Sequence, residues 1–109
     1  MATSYKTLAQ AHLTTTSDTD ILTVAASKEV IISTMVIANI TSTATTFNVA
    51  FRTDGDTLAD KHYIAKEVPI AANDSTTLTL GITLDAADVL SVYASAVDMS
   101  VNVFGTEIS

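Results

Sequence analysis

The stretch Ser75–Ser109, STTLTLGITLDAADVLSVYASAVDMSVNVFGTEIS, alternates apolar and polar residues almost without interruption, with turn signals between the runs. Thr76–Ile82 sets Leu78, Leu80 and Ile82 against Thr77, Thr79 and Gly81, and Met99–Phe104 sets Met99, Val101 and Val103 against Ser100, Asn102 and Phe104. Period two is the mark of a strand with one face buried and the other wet. Asp88–Ser95 adds Val89, Leu90, Val92 and Tyr93. Ala86 and Ala87 raise helix propensity locally, but Leu84–Leu90 is too short for a stable helix and leads at once into strand-forming residues, so it reads as a turn.

The rest of the chain repeats the pattern. Thr45–Thr53 places Phe47, Val49 and Phe51 on one face and Thr46, Asn48, Ala50 and Arg52 on the other. Lys28–Ile40 is apolar on both parities, with Val30, Ile32, Val36, Ala38 and Ile40 on one and Ile31, Met35 and Ile37 on the other. Such a strand is central or covered by a second layer. Tyr5–Leu13 and Asp20–Ala25 bring the count to about eight strands. Asp54-Gly55 is a hairpin signal with access to positive φ, Pro69 ends or edges its strand, and Asn73-Asp74 and Asp85–Asp88 supply turn-forming side chains.

No long helical period exists for crossover connections, so the expected fold is all-β: a two-sheet antiparallel β-sandwich, jelly-roll or Ig-like, over residues 1–109. The expected core is Val30, Ile32, Val36, Phe47, Val49, Phe51, Leu78, Leu80, Leu90, Val92, Val101 and Val103. A length of 109 residues fits one domain, and the N-terminal residues read as an arm that contacts neighbours. Apolar residues make up 48% and charged residues 16%, enough buried surface to offset conformational entropy.

The net charge of −7, with only Lys6, Lys28, Arg52, Lys61 and Lys66 as cations, gives no basic patch for phosphates, so nucleic acid is not an expected partner. No apolar run approaches membrane-spanning length and none has signal-peptide form, so neither a membrane partner nor Sec-type export is expected. The absence of Cys removes thiol chemistry and zinc-thiolate sites.

Each candidate site has a plain alternative. Asp54, Asp56 and Asp60 in TDGDTLADK could hold a hard cation, but the spacing is not that of an EF-hand and a solvated turn accounts for it. His12 and His62 lie far apart without a ligand spacing, and no serine sits in a nucleophile motif. Gly55, Gly81 and Gly105 are scattered, which leaves no phosphate-cradling loop. No catalytic residue, metal or cofactor is therefore expected. Tyr5, Tyr63 and Tyr93 would suit sugar stacking or the edge of a β core. Asn39-Ile40-Thr41 and Asn73-Asp74-Ser75 match glycosylation acceptors in form only.

Asp60-Lys61-His62-Tyr63-Ile64, the segment Ala71–Leu80 with its Asn-Asp turn, Leu84–Tyr93 with Asp88 opening a strand, and the ending SVNVFGTEIS together resemble small structural proteins of tailed bacteriophages, notably marine and cyanobacterial ones. The likeness spans most of the chain and is weaker before Ser27. It implies a non-enzymatic virion component present in many copies, a homo-oligomer or multi-copy assembly contacting the major capsid protein or tail proteins. Capsid decoration on the outer surface is the leading expectation, with a tail or baseplate accessory, or a carbohydrate-binding module of a receptor-binding part, as alternatives. The family hands over no binding motif. Polar connectors at sheet ends commonly form contacts, which marks Tyr5 and the connector residues Asp54, Asp56, Asp60, His62 and Tyr63 as expected partner contacts.

Overall fold

The chain pairs with itself as one long hairpin rolled into a sandwich. In a computed structural model describing residues 3–14, 16–95 and 98–109, with the side chain of Leu80 outside the description, eight strands follow in order. They are β1 (Thr3–Leu13), β2 (Thr19–Thr23), β3 (Glu29–Asn39), β4 (Thr45–Arg52), β5 (Tyr63–Ile70), β6 (Ser75–Leu84), β7 (Val89–Ala94) and β8 (Met99–Ile108). β1 pairs with β8, β2 with β7, β3 with β6 and β4 with β5, all antiparallel. Rolling that ladder adds β3–β8 and β4–β7 and yields a front sheet β1-β8-β3-β6 and a back sheet β2-β7-β4-β5. This nested order is the jelly roll, which resolves the choice against Ig-like connectivity.

Alternation sorts side chains as period two requires. Phe47 and Val49 from β4, Leu90, Val92 and Ala94 from β7, and Met99, Val101 and Val103 from β8 meet between the sheets and are fully buried. Phe51, Leu78 and Ile82 are only partly buried and pack against that core from its margins. Leu80, also expected inside, has its side chain outside the described residues.

β3 corrects the sequence reading. Its partners' register shifts between Ile32 and Thr34 on both sides. The irregularity moves the inward parity by one, so Val30 and Ile32 and then Met35 and Ile37 all face the core. Val36, expected in the core, lies on the outer side and is half-buried. The strand is central and apolar on both faces, as expected, but the irregularity re-sorts them: Val30, Ile32, Met35 and Ile37 face the core, and Ile31, Val36 and Ala38 face outward.

The connections are built from local chemistry. Asn73 takes φ 55° in the β5–β6 turn and Ala87 takes φ 71° in the β6–β7 turn. Asp88 closes the latter by accepting the Asp85 amide at 2.9 Å. Asn39, at 2% exposure, is the hub of one end of the sandwich. Its Nδ2 donates to the carbonyls of Thr43 (2.8 Å) and Ala71 (3.2 Å), and its Oδ1 accepts from the Thr41 amide (3.1 Å) and hydroxyl (2.7 Å). A buried amide with all these groups paired specifies one arrangement of two loops. It is not a glycosylation acceptor in this fold.

The candidate interaction surface

The two outer faces of the sandwich differ. On the back sheet, the β4–β5 connector folds over the strands as two short 3-10 turns, Thr53–Gly55 and Asp60–His62, packed against β7 and β4. Under it Ala50, Ser91 and Val89 are buried although they belong to the outward parity. The two-residue hairpin expected at Asp54-Gly55 is thus a longer flap. Its positive φ values are as expected, 54° at Asp54 and 66° at Gly55.

The flap is pinned from several sides. The Asp54 amide donates to Asp88 Oδ1 at 2.9 Å, and Arg52 Nη1 donates to the Asp56 carbonyl at 3.1 Å while Nη2 pairs with Asp20. His62 is 7% exposed, and its Nδ1 accepts the Ala59 amide at 2.9 Å. That bond leaves the ring proton on Nε2, 3.6 Å from Asp56 Oδ2. Lys61 Nζ lies 3.8 Å from the same carboxylate oxygen, Lys66 Nζ lies 3.9 Å from Asp60 Oδ1, and the Lys66 ammonium sits 4.7 Å from the centroid of the Tyr63 ring. The Asp56 and Asp60 carboxylates therefore lie near cations, and among the described residues no three His, Asp or Glu side chains converge on a point.

Among the described residues no connector covers the front sheet in this way. Registers place its outward side chains in rows across all four strands. Tyr5, Thr106, Ile31 and Thr83 form one, Thr7, Phe104, Thr34 and Thr79 the next, and Gln10, Asn102, Val36 and Thr77 a third. Gln10 Nε2 donates to Asn102 Oδ1 at 2.8 Å within the third row. Tyr5 is 87% exposed, Phe104 38% and Ile31 36%, so three large side chains stand together on a field of hydroxyls. Among the described residues the charged groups of this face sit at its two ends, Glu29 at one and the pair of His12 Nε2 and Asp98 Oδ1, 2.9 Å apart, at the other. In a chain of net charge −7 such a face is set apart from the rest of the surface.

Of the residues expected to contact partners, Asp54, Asp56, Asp60, His62 and Tyr63 come together on the flap, and Tyr5 stands apart on the front sheet. Ile31 and Phe104 were not singled out in the sequence. Phe104 falls on the polar parity of its strand, and that misplaced aromatic was the available signal. At the margin between the sheets, Glu107 Oε1 accepts from Lys6 Nζ (2.9 Å) and Lys28 Nζ (3.2 Å). The Lys6 hydrogen bond first, and the Lys28 bond after it, hold the Glu107 carboxyl below its ordinary pKa. An open concavity of about 330 Å³ lies where Ala38–Ile40 meets Asn73–Ser75. No family model matches this chain, and no curated protein sequence matches it.

Proposed function

We propose that this chain is a non-enzymatic structural subunit of a tailed-phage virion, bound to the capsid exterior as a decoration or cement protein. The observation that carries the reading is the exposed front sheet, hydroxyl-rich, with its charges only at the two ends and centred on Tyr5, Ile31 and Phe104. With about 4.8 Å between strands and about 6.8 Å between like-facing rows, the three rows that begin at Tyr5, Thr7 and Gln10, the row His12, Ser100, Ala38 and Ser75 beyond them, and the three-strand row Thr3, Ile108 and Glu29 present about 620 Å². That is close to the ~800 Å² each partner contributes to a standard protein interface. Aromatic anchors inside a polar rim are the usual energetic centre of such contacts.

Two further points support the reading. The jelly roll is shared by many capsid and lectin domains, although a fold by itself does not fix a function. The acidic surface suits an outward position, because packaged DNA would repel it. The flap residues Asp54, Asp56 and Asp60 give a second, acidic contact for a neighbouring subunit, while His62 acts beneath them by holding the loop. Tail attachment would use the same face and differs only in location. Sugar binding ranks lower, because Tyr63 and Tyr93 are half-buried and the Tyr63 ring already carries the Lys66 ammonium.

The test is proteomic analysis of gradient-purified particles after amine-reactive labelling of the intact virions. The expected result is the chain in DNA-filled capsids with exposed Lys61 and Lys66 labelled. Absence from purified particles, or labelling only after the capsid is opened, would refute the proposal. Recovery with isolated tails alone would move the subunit to the tail.

A further inference from the structure

We infer that β6 is a homotypic docking edge, through which two copies of this chain join their front sheets about a two-fold axis at Thr77. The sandwich has four edge strands, β1 and β6 in front and β2 and β5 behind. An open edge invites another strand unless it is short, charged, bulged or interrupted by proline. Three edges carry such devices. β1 holds Lys6 and an irregularity between Thr7 and Ala9. β2 has five residues with Asp20 among them. β5 holds Lys66, Pro69 and a break in register where Glu67 takes φ 53°.

β6 is different. Its ten residues, STTLTLGITL, include no charge and no proline. Its register against β3 is regular from Ser75 to Thr79 and shifts only beyond that point. The segment Ser75–Thr79 is therefore a straight, unguarded edge of five residues.

That segment also matches itself. Antiparallel pairing centred on Thr77 sets Ser75 opposite Thr79 of the second copy, Thr76 opposite Leu78 and Thr77 opposite Thr77. Hydroxyl side chains then face one another along the outer surface, a favourable cross-strand combination. On the inner side the two Leu78 side chains, half-buried in one copy, become diagonal neighbours across the new ladder. No charge of this segment meets a like charge, whereas a partner copy approaching the acidic surface elsewhere would be repelled. Self-complementarity of this kind is what an isologous two-fold contact requires, and it favours a second copy over an unrelated chain.

A five-residue strand pair buries much less than the ~800 Å² per partner of a standard interface, so the dimer is weak in dilute solution. On a lattice it strengthens, because copies held side by side act at about millimolar effective concentration. The inference concerns the free chain and stands whether or not the virion reading holds.

The test is sedimentation equilibrium of the full chain from about 10 μM to about 1 mM, a range that spans such effective concentrations. It compares wild type with two double variants at the same exposed positions. S75K/T79K places lysine opposite lysine in both symmetric pairs, and S75K/T79E places lysine opposite glutamate in both. The expected result is a wild-type monomer–dimer equilibrium, dimerisation of S75K/T79E within about threefold of wild type, and dimerisation of S75K/T79K at least tenfold weaker, as directly opposed like charges dictate. Circular dichroism of all three confirms that each is folded. A wild-type chain that stays monomeric at the highest concentration, or two double variants that dimerise alike, would overturn the inference. In the monomeric case the edge would be left for a strand from another protein.

Discussion

Asn39→Ala removes a side chain that ties the β3–β4 loop to the β5–β6 turn. Four hydrogen bonds are lost, two donated to the Thr43 and Ala71 carbonyls and two accepted from Thr41. A typical net value is about 1 kcal/mol per bond, and a buried partner left unpaired costs more. Thr43 and Ala71 are exposed and regain water, which brings the expected loss down to about 2–3 kcal/mol. With a urea m-value of roughly 1–1.5 kcal/mol/M, the denaturation midpoint should fall by about 2 M. Asn39→Asp keeps the acceptor but turns two donated bonds into carboxylate–carbonyl repulsion, so at neutral pH it should cost at least as much as alanine. In acid the protonated carboxyl regains one donor and part of the loss should be recovered. A cost below about 0.5 kcal/mol for alanine, the level of an ordinary surface substitution, would refute the hub.

Three other outcomes follow from the packing and charge. Phe47→Ala, at a fully buried site, should cost about 3–5 kcal/mol, and Phe51→Ala, at the margin of the core, clearly less; equal losses in urea titrations would contradict the placement of the two rings. Gly105→Ala puts a methyl group against the Ile31 carbonyl and should cost about 2–3 kcal/mol, whereas Gly81→Ala meets nothing within 4 Å and should be neutral or mildly stabilising, as thermal melts of the pair would show. The Glu107 carboxyl has a folded pKa below its unfolded value, so its contribution to stability is present above the ordinary carboxylate range and is lost as pH falls through the lowered value. Glu107→Gln should remove that part of the acid-side slope of stability against pH, and an unchanged slope would show that Lys6 and Lys28 do not act through this group.

Much of the fold can be read in the sequence, because a sandwich strand states its facing twice, in its apolar and in its polar residues. The alternation at Thr45–Arg52 and the turn signals at Asn73 and Asp85–Asp88 all reappear in the structure. A strand over Tyr63–Ile70 was marked only by its proline. Register is where the reading stops. The irregularity in β3 exchanges Val36 for Met35 and Ile37 in the core, and a shift of one residue leaves composition and local propensity unchanged. Connectivity was equally hidden, since jelly-roll and Ig-like sandwiches share strand count and alternation and differ only in which distant strands pair.

The candidate surface was half legible. Tyr5 was marked by its place in the N-terminal contact segment, but its neighbours Ile31 and Phe104 come from positions 31 and 104 and meet only through the ladder β1-β8-β3. The polar flap drew attention to Asp54–Tyr63, yet a buried histidine pinning a loop and an exposed one have the same local sequence. Asn39 shows the same limit: its neighbours Ile40 and Thr41 spell a modification signal, and only the distant Ala71 carbonyl reveals a structural hub.

The most direct test of the assembly role is a cryo-electron-microscopy map of the intact particle that carries this chain. The account predicts density on the outer capsid lattice, with the front sheet turned toward the shell and Tyr5, Ile31 and Phe104 buried at the contact. A chain lying against the genome, or one on the outer lattice with that face turned to solvent, would contradict it.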